Sequence, residues 1–240
     1  MEHIDATNQD YKTLNAQLRQ LQTPCTLTNC CGQRFLAAGM SHADLTMEGI
    51  PGNALGAYLN GARIVVHGNA QDAVGDTMNE GQIVIHGSIG DAAGYAMRGG
   101  AIYVKGDAGY RAGIHMKAYQ NKVPVMVIGG RTGSFLGEYQ AGGIIVVLGL
   151  HQDGKPIVGN FPCTGMHGGK VFLRGDAKGL RFPPQVCVKP ATDDDLQEIL
   201  PLLHTYCDLF SYDENALLAS PFTVVSPDDT NPFRQLYVAN

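Results

Sequence analysis

The sequence predicts an all-β fold, a single-stranded right-handed parallel β-helix of about seven turns with short helical caps at its two ends. Two observations predict it. A glycine-marked unit recurs every nineteen residues or slightly more between residues 44 and 175, and a short run of alternating apolar residues precedes each leading glycine. A unit of this length cannot bury its apolar face alone, so neighbouring units must stack, and parallel crossovers favour a right-handed coil. The leading glycines are Gly49, Gly68, Gly87, Gly106, Gly130, Gly149 and Gly175.

Two further columns keep the same step along the chain. A second glycine lies seven residues after most leading glycines, and an apolar residue, termed the apolar marker, lies three residues after the second glycine. The leading glycines are predicted to be structural corners, where the chain bends or where adjacent turns approach too closely for a side chain. The second glycines are Gly56, Gly75, Gly94, Gly113 and Gly137, and the apolar markers are Leu59, Met78, Met97 and Met116.

The strand runs also predict which faces are buried. Their first and third positions are apolar in every unit, as in Ile64 and Val66, and should face the interior. The middle position, which should face outward, is apolar in the later units as well. A strand that is apolar on both faces is buried on both faces, so the terminal helices or a partner protein should cover it. The candidate partner interface is Val127, Val146, Leu148 and Phe172.

The chain divides into three predicted segments. Residues 1–38 form an N-terminal helix and entry strands, because Tyr11, Leu14 and Leu18 repeat at helical spacing. Residues 39–182 form the β-helix, with a loop at 151–162 that is a candidate contact loop. Residues 183–240 form a helical segment and an extended tail, in which Thr192 caps a helix that Pro201 kinks or divides.

Composition limits the classes of partner. A net charge of −5 and a pI near 5.9 argue against nucleic acid and acidic membranes as partners. The sequence has no apolar run of membrane-spanning length and no signal peptide, which predicts a cytoplasmic protein. Cys25, Cys30 and Cys31 cluster but lack the paired spacing of a zinc or iron–sulfur site, so we expect no bound metal.

One column carries residues that could support chemistry. His67, His86 and Lys105 occupy equivalent positions of successive units and should stack on one face. They are either an anion or metal site or, more simply, a solvated edge with neutral histidines, since like charges one turn apart repel. Asp72 and Asp91 follow the same period and are interpreted as turn residues. We predict no catalytic or cofactor-binding residue, because no nucleophile stands beside an orienting base in any known motif.

The repeats resemble a known family. The runs that carry the resemblance are 81–87, 94–100, 107–117, 142–149 and 165–169, and the similar region spans about 32–180. They resemble the GXGXG domain, the right-handed β-helix that closes the large subunit of glutamate synthase. The ends of the chain look like the stand-alone form, found where that enzyme is split into separate polypeptides.

The resemblance implies a non-catalytic scaffold subunit. Its implied partners are a glutamine amidotransferase subunit and an FMN-binding glutamate synthase subunit, which together move the glutamine amide nitrogen to 2-oxoglutarate. FMN and an iron–sulfur cluster are then expected in a partner, with no cofactor in this chain. Related β-helices occur in formylmethanofuran dehydrogenase and N-methylglutamate synthase, so an assembly of either type stays open. A self-assembling structural β-helix, forming a homo-oligomer, is a further alternative.

Overall fold

The structure, a computed structural model, describes residues 2–150 and 154–228. In this part of the chain there are eleven strands and three helices. The strands are β1 (Glu2–Asp5), β2 (Cys25–Cys31), β3 (Asp44–Ile50), β4 (Asn60–His67), β5 (Glu80–Ile85), β6 (Ala101–Val104), β7 (Val125–Ile128), β8 (Ala141–Val147), β9 (Gly168–Arg174), β10 (Val186–Pro190) and β11 (Phe222–Pro227). The helices are α1 (Tyr11–Leu18), α2 (Asp193–Phe210) and α3 (Glu214–Leu218).

The first nine strands form a parallel β-helix, as the repeat predicts. They pair in chain order from β1 to β9, and equivalent residues lie opposite each other, as in the pairs of Ile83 with Ile64 and with Ile102. The stack contains about eight turns, one more than the glycine count predicts. The additional strand is β1, which carries no glycine marker and pairs in parallel with the predicted entry strand β2.

The interior is filled by stacked apolar columns. The apolar residues that were predicted to face the interior do so, since Ile64, Val66, Ile83 and Ile85 all have no exposed surface. The apolar markers behind the second glycines complete the core from the opposite wall, since Met78 and its equivalents are also fully buried. At one position of this column the marker is Gln140, whose amide nitrogen donates to the Gly143 carbonyl at 3.1 Å.

At the corners, side chains accept hydrogen bonds from the backbone N–H groups of the next turn. The Asp72 carboxylate accepts from the Asp91 backbone N–H at 2.9 Å, and the Asp91 carboxylate accepts from that of Tyr110 at 2.8 Å. The two aspartates therefore link successive turns, in agreement with their interpretation as turn residues. At Gly130 an added Cβ would overlap the Asp107 carboxylate, so this leading glycine is required for close approach between turns.

The C-terminal segment closes and covers the solenoid. Strand β11 pairs antiparallel with β9, and β10 pairs antiparallel with β11, so the last parallel strand is not left as an open edge. Thr192 caps helix α2, as predicted, and it does so within a capping box with Asp195. The sequence predicted that Pro201 kinks or divides this helix, and division is wrong, because α2 is continuous. A proline inside a helix costs about 3 kcal/mol, and burial of the apolar face of α2 against the sheet offsets this cost.

Candidate functional site

The outer face of the later turns is covered by the chain itself. Val127, Val146, Leu148 and Phe172 are at most 1% exposed and form a second apolar cluster with residues of α2 such as Leu203. The sequence predicted that either the terminal helices or a partner protein covers this face. In the structure it is covered by residues of the C-terminal segment, chiefly helix α2. The prediction of a partner interface at these four residues is therefore wrong, because α2 already occupies the surface that they would offer.

Helix α2 is fixed to the sheet by charge and by shape. The Lys170 ammonium on β9 contacts the Asp195 carboxylate at 3.1 Å and the Glu198 carboxylate at 2.6 Å. Burial opposes ionisation of Asp195, but hydrogen bonds from Thr192 and Lys170 outweigh it and lower the pKa of Asp195 to about 2. The Tyr206 ring lies directly against Gly129, where a Cβ would overlap its hydroxyl. These contacts make α2 part of the folded core.

The histidine column lies at the margin of this cover. The His67 and His86 rings are 4.7 Å apart, and Phe210 of α2 meets the His86 ring edge-on at 5.2 Å. Burial lowers the pKa of His86, and the neighbouring His67 and Lys105 lower it further. No group of three or more His, Cys, Asp or Glu side chains suited to a metal ion occurs among residues 2–150 and 154–228. The simpler interpretation was a solvated edge with neutral histidines. The lowered pKa favours the neutral form of His86, but Phe210 partly covers this edge.

The half-buried His86 is expected to make stability depend on pH. Because the pKa of His86 is lowered on folding, the unfolded chain takes up a proton first as the pH falls. Stability should therefore fall as the pH drops below the ordinary histidine pKa of about 6.5, whereas above that pH the residue contributes no dependence. Urea unfolding between pH 8 and pH 5 measures this slope.

A matched pair of variants tests the assignment to this residue. His86→Gln should flatten the loss of stability between pH 7 and pH 5, because it removes the group that titrates. His42→Gln, which changes another, exposed histidine, is the control for the substitution itself. Equal slopes for His86→Gln and the unmodified protein would contradict the assignment.

The wall opposite the strands is built from an unusual backbone. In each turn we term this wall the arc. Every second residue along an arc has a left-handed backbone, and each of the five second glycines lies between two other left-handed residues. In the arc at 135–139 the φ angles are +64° at Phe135, +62° at Gly137 and +52° at Tyr139. The left-handed residues of this arc donate their backbone N–H groups in turn to the following and to the preceding turn of the solenoid, as when Phe135 donates to Asn160 and Gly137 donates to Ala112. The arcs are thus hydrogen-bonded without being strands.

Aromatic side chains stack along the outside of the later arcs. The Phe135 and Phe161 rings are 5.4 Å apart, and the guanidinium of Arg111 lies 4.9 Å from the Phe135 ring. Parallel to this row, the rings of His115 and Tyr139 stack at 5.2 Å with 9° between their planes. These five residues are termed the arc ladder. It follows directly from the repeat, which places equivalent arc positions one above another.

The arc ladder combines two unfavourable features for an isolated chain. Phe161 is 63% exposed and Tyr139 is 46% exposed. Both phenylalanines and Tyr139 also have left-handed backbones, which costs about 1–3 kcal/mol for each such residue. The left-handed backbone recurs in the other arcs, so what distinguishes this part of the wall is its stacked and exposed aromatic groups, which concentrate at contact sites. The arc ladder is therefore the best candidate for a functional surface in the described part of the chain.

Sequence reasoning missed the arc ladder. The signal was available, because Phe135 and Tyr139 lie two residues before and two residues after the second glycine Gly137, and Arg111 and His115 flank Gly113 in the same way. The sequence does not show that the side chains at these positions point outward. The candidate contact loop, 151–162, includes Phe161 of the ladder, and its residues 151–153 are outside the described residues. Among those described, no helix has the length and apolar character to cross a membrane.

The fold and its surface define a class of protein: a parallel β-solenoid with a self-covered sheet face and an exposed aromatic wall. The GXGXG motif family model matches residues 2–226, and the chain belongs to that family. It is also similar to the uncharacterized protein MJ1350 of Methanocaldococcus jannaschii, with 44% identity over 248 aligned positions. That alignment covers 98% of this chain and 95% of the relative.

Proposed function

We propose that the chain is a non-catalytic scaffold subunit of a glutamate synthase-type complex. It would hold a glutamine amidotransferase subunit and an FMN-binding synthase subunit in the arrangement that passes nitrogen from glutamine to 2-oxoglutarate. Family membership supports the relationship to glutamate synthase at the level of the domain. In this proposal FMN and the iron–sulfur cluster belong to the partner, and this chain contributes a rigid surface.

The observation that carries the proposal is the exposed arc ladder. Tyrosine, phenylalanine and arginine are enriched in the centres of protein interfaces, where rigid rings give large contact area at low entropy cost. The ladder offers these residue types on a wall that backbone hydrogen bonds hold in place. Its charge is locally balanced, because Arg111 contacts the Glu138 carboxylate at 3.2 Å. A partner surface with apolar groups at its centre fits this ladder.

Asparagine substitutions test the ladder without disturbing the fold. Asparagine is well tolerated in the left-handed region, so Phe161→Asn and Tyr139→Asn should retain the thermal stability of the unmodified protein. Removing both rings should weaken binding of a partner subunit at least about tenfold, which is typical of two central interface residues. Calorimetric titration of the separately purified amidotransferase and synthase subunits into each variant measures the change.

Tyr58 provides the matched control. It occupies the same arc position as Tyr139 four turns away, with a φ of +57° and 58% exposure. Tyr58→Asn should leave partner affinity unchanged. The proposal would be wrong in its placement of the interface if Tyr58→Asn and the ladder variants had equal effects. It would be wrong as a whole if neither subunit bound the unmodified chain.

The alternative assemblies make different predictions in the same experiment. A formylmethanofuran dehydrogenase or N-methylglutamate synthase type of complex would use the same ladder but would bind other subunits. Self-assembly by pairing of two β1 edges is disfavoured, because β1, one of the two outermost strands of the sheet, carries carboxylates at Glu2 and Asp5. Two copies of this edge would repel each other, and charged edge strands are a common protection against such pairing.

A further inference from the structure

A cavity of about 440 Å³ lies at the C-terminal end of the solenoid, outside the arc ladder except for one shared residue. It is bounded by the corner at 156–161, by Arg131 of the preceding turn and by the segment 179–181. The shared residue is Phe161, whose exposed ring forms one wall. This volume is in the usual range for sites that bind small molecules.

Two arginines, Arg131 and Arg181, line this cavity. Neither Arg131 nor Arg181 is within ion-pair distance of an acidic side chain in the described ranges, 2–150 and 154–228. The chain as a whole carries a net charge of −5. The cavity therefore brings together two guanidinium groups that have no ion-pair partner in the described ranges, in a chain that is acidic overall.

The hydrogen bond of Arg131 leaves the two terminal nitrogens of its guanidinium available for a ligand. Its Nε donates to the Pro156 carbonyl at 2.8 Å, which orients the planar guanidinium. The two terminal nitrogens make no hydrogen bond within the described residues, so they can donate to a ligand. A guanidinium oriented in this way matches phosphate and carboxylate oxygens in a bidentate contact. Val158 and Leu180 add apolar surface to the same cavity.

We propose that this cavity binds a small anion in which a phosphate or carboxylate group is attached to an apolar or aromatic portion. Arg131 and Arg181 bind the anionic group from two sides, and the ring of Phe161 contacts the apolar portion. The site can be tested without a partner subunit, and it shares only Phe161 with the arc ladder.

Three probes test the site on the purified full-length chain. Phenyl phosphate and benzoate share a ring and differ in the anionic group, while inorganic phosphate lacks the ring. Calorimetric titration should show saturable binding of phenyl phosphate, or of benzoate if the site prefers carboxylates, and weaker binding of inorganic phosphate. Arg131→Gln and Arg181→Gln should each weaken the preferred probe about tenfold, the usual scale for a charge-assisted contact. Phe161→Asn should weaken the aromatic probes and leave inorganic phosphate unaffected.

Arg63→Gln is the control for charge alone. Arg63 is exposed and paired with Asp44 at 3.1 Å, far from the cavity, so its loss should not alter binding. Equal effects of Arg63→Gln and the two cavity variants would show non-specific attraction and overturn the proposal. It would also be overturned if all three probes bound with Kd values weaker than about 1 mM, the range of non-specific association. Unchanged affinity in both Arg131→Gln and Arg181→Gln would have the same consequence.

Discussion

Val146→Asp is expected to prevent the chain from folding. Val146 is fully buried between the sheet and α2. An aspartate there would place a charge in an apolar layer with no cation or donor to meet it. The cost should exceed about 4 kcal/mol, which is a large part of the stability of an ordinary domain. We expect an insoluble product, or a soluble one whose circular dichroism lacks a cooperative thermal transition.

Val188→Asp separates burial from the chemical change. Val188 also lies in a strand, β10, but is 37% exposed, so the same substitution should cost little. The contrast tests the covered face directly. If Val146→Asp folded normally and lost only partner binding, α2 would not cover this face in solution, and the interface predicted from the sequence would be reinstated.

Gly113→Ala is expected to destabilise the solenoid by about 2–5 kcal/mol. The backbone of Gly113 is left-handed, with φ at +71°, and an alanine in this region costs about 1–2 kcal/mol. The added methyl would also overlap the end of the Ile145 side chain in the packed interior. Overpacking of this kind costs about 1–3 kcal/mol more. Urea unfolding gives the total.

Gly39→Ala isolates the contribution of backbone strain. Gly39 has the same φ of +71°, but nothing lies within 4 Å of its added Cβ. Its substitution should therefore cost only the backbone term of about 1–2 kcal/mol. The difference between the two variants measures the packing of the second glycine column. Equal losses of stability would show that this column is set by conformation alone and that the interior adjusts to the methyl group.

The repeat made the solenoid predictable from the sequence, because a single period fixes strand, corner and core together. Ile83 shows this, since its pairing with Ile64 and Ile102 follows from the nineteen-residue step. The first turn did not follow, because β1 has neither a glycine marker nor an apolar alternation. It is a strand because β2 offers it a parallel edge, and such tertiary context is absent from local sequence.

The placement of the surfaces was harder to predict than the fold. An apolar outer column indicated that Phe172 is covered, but not which element covers it. Long-range contacts of the sheet with α2 decide that, among them the ion pair of Lys170 with Asp195. The arc ladder was missed for a related reason. The direction in which Phe135 points depends on the alternating left-handed backbone, and φ angles at non-glycine residues cannot be read from hydrophobic periodicity.

The central claim is that this chain organises the subunits of a glutamate synthase-type complex through its arc ladder. Affinity purification of the tagged chain from its native cells, followed by mass spectrometry and an absorption spectrum, tests it most directly. The account predicts stoichiometric recovery of an amidotransferase and a yellow-brown flavin and iron–sulfur subunit, and loss of both with the Phe161→Asn, Tyr139→Asn variant. Recovery of the chain alone and colourless, at a concentration where it is folded, would contradict the claim.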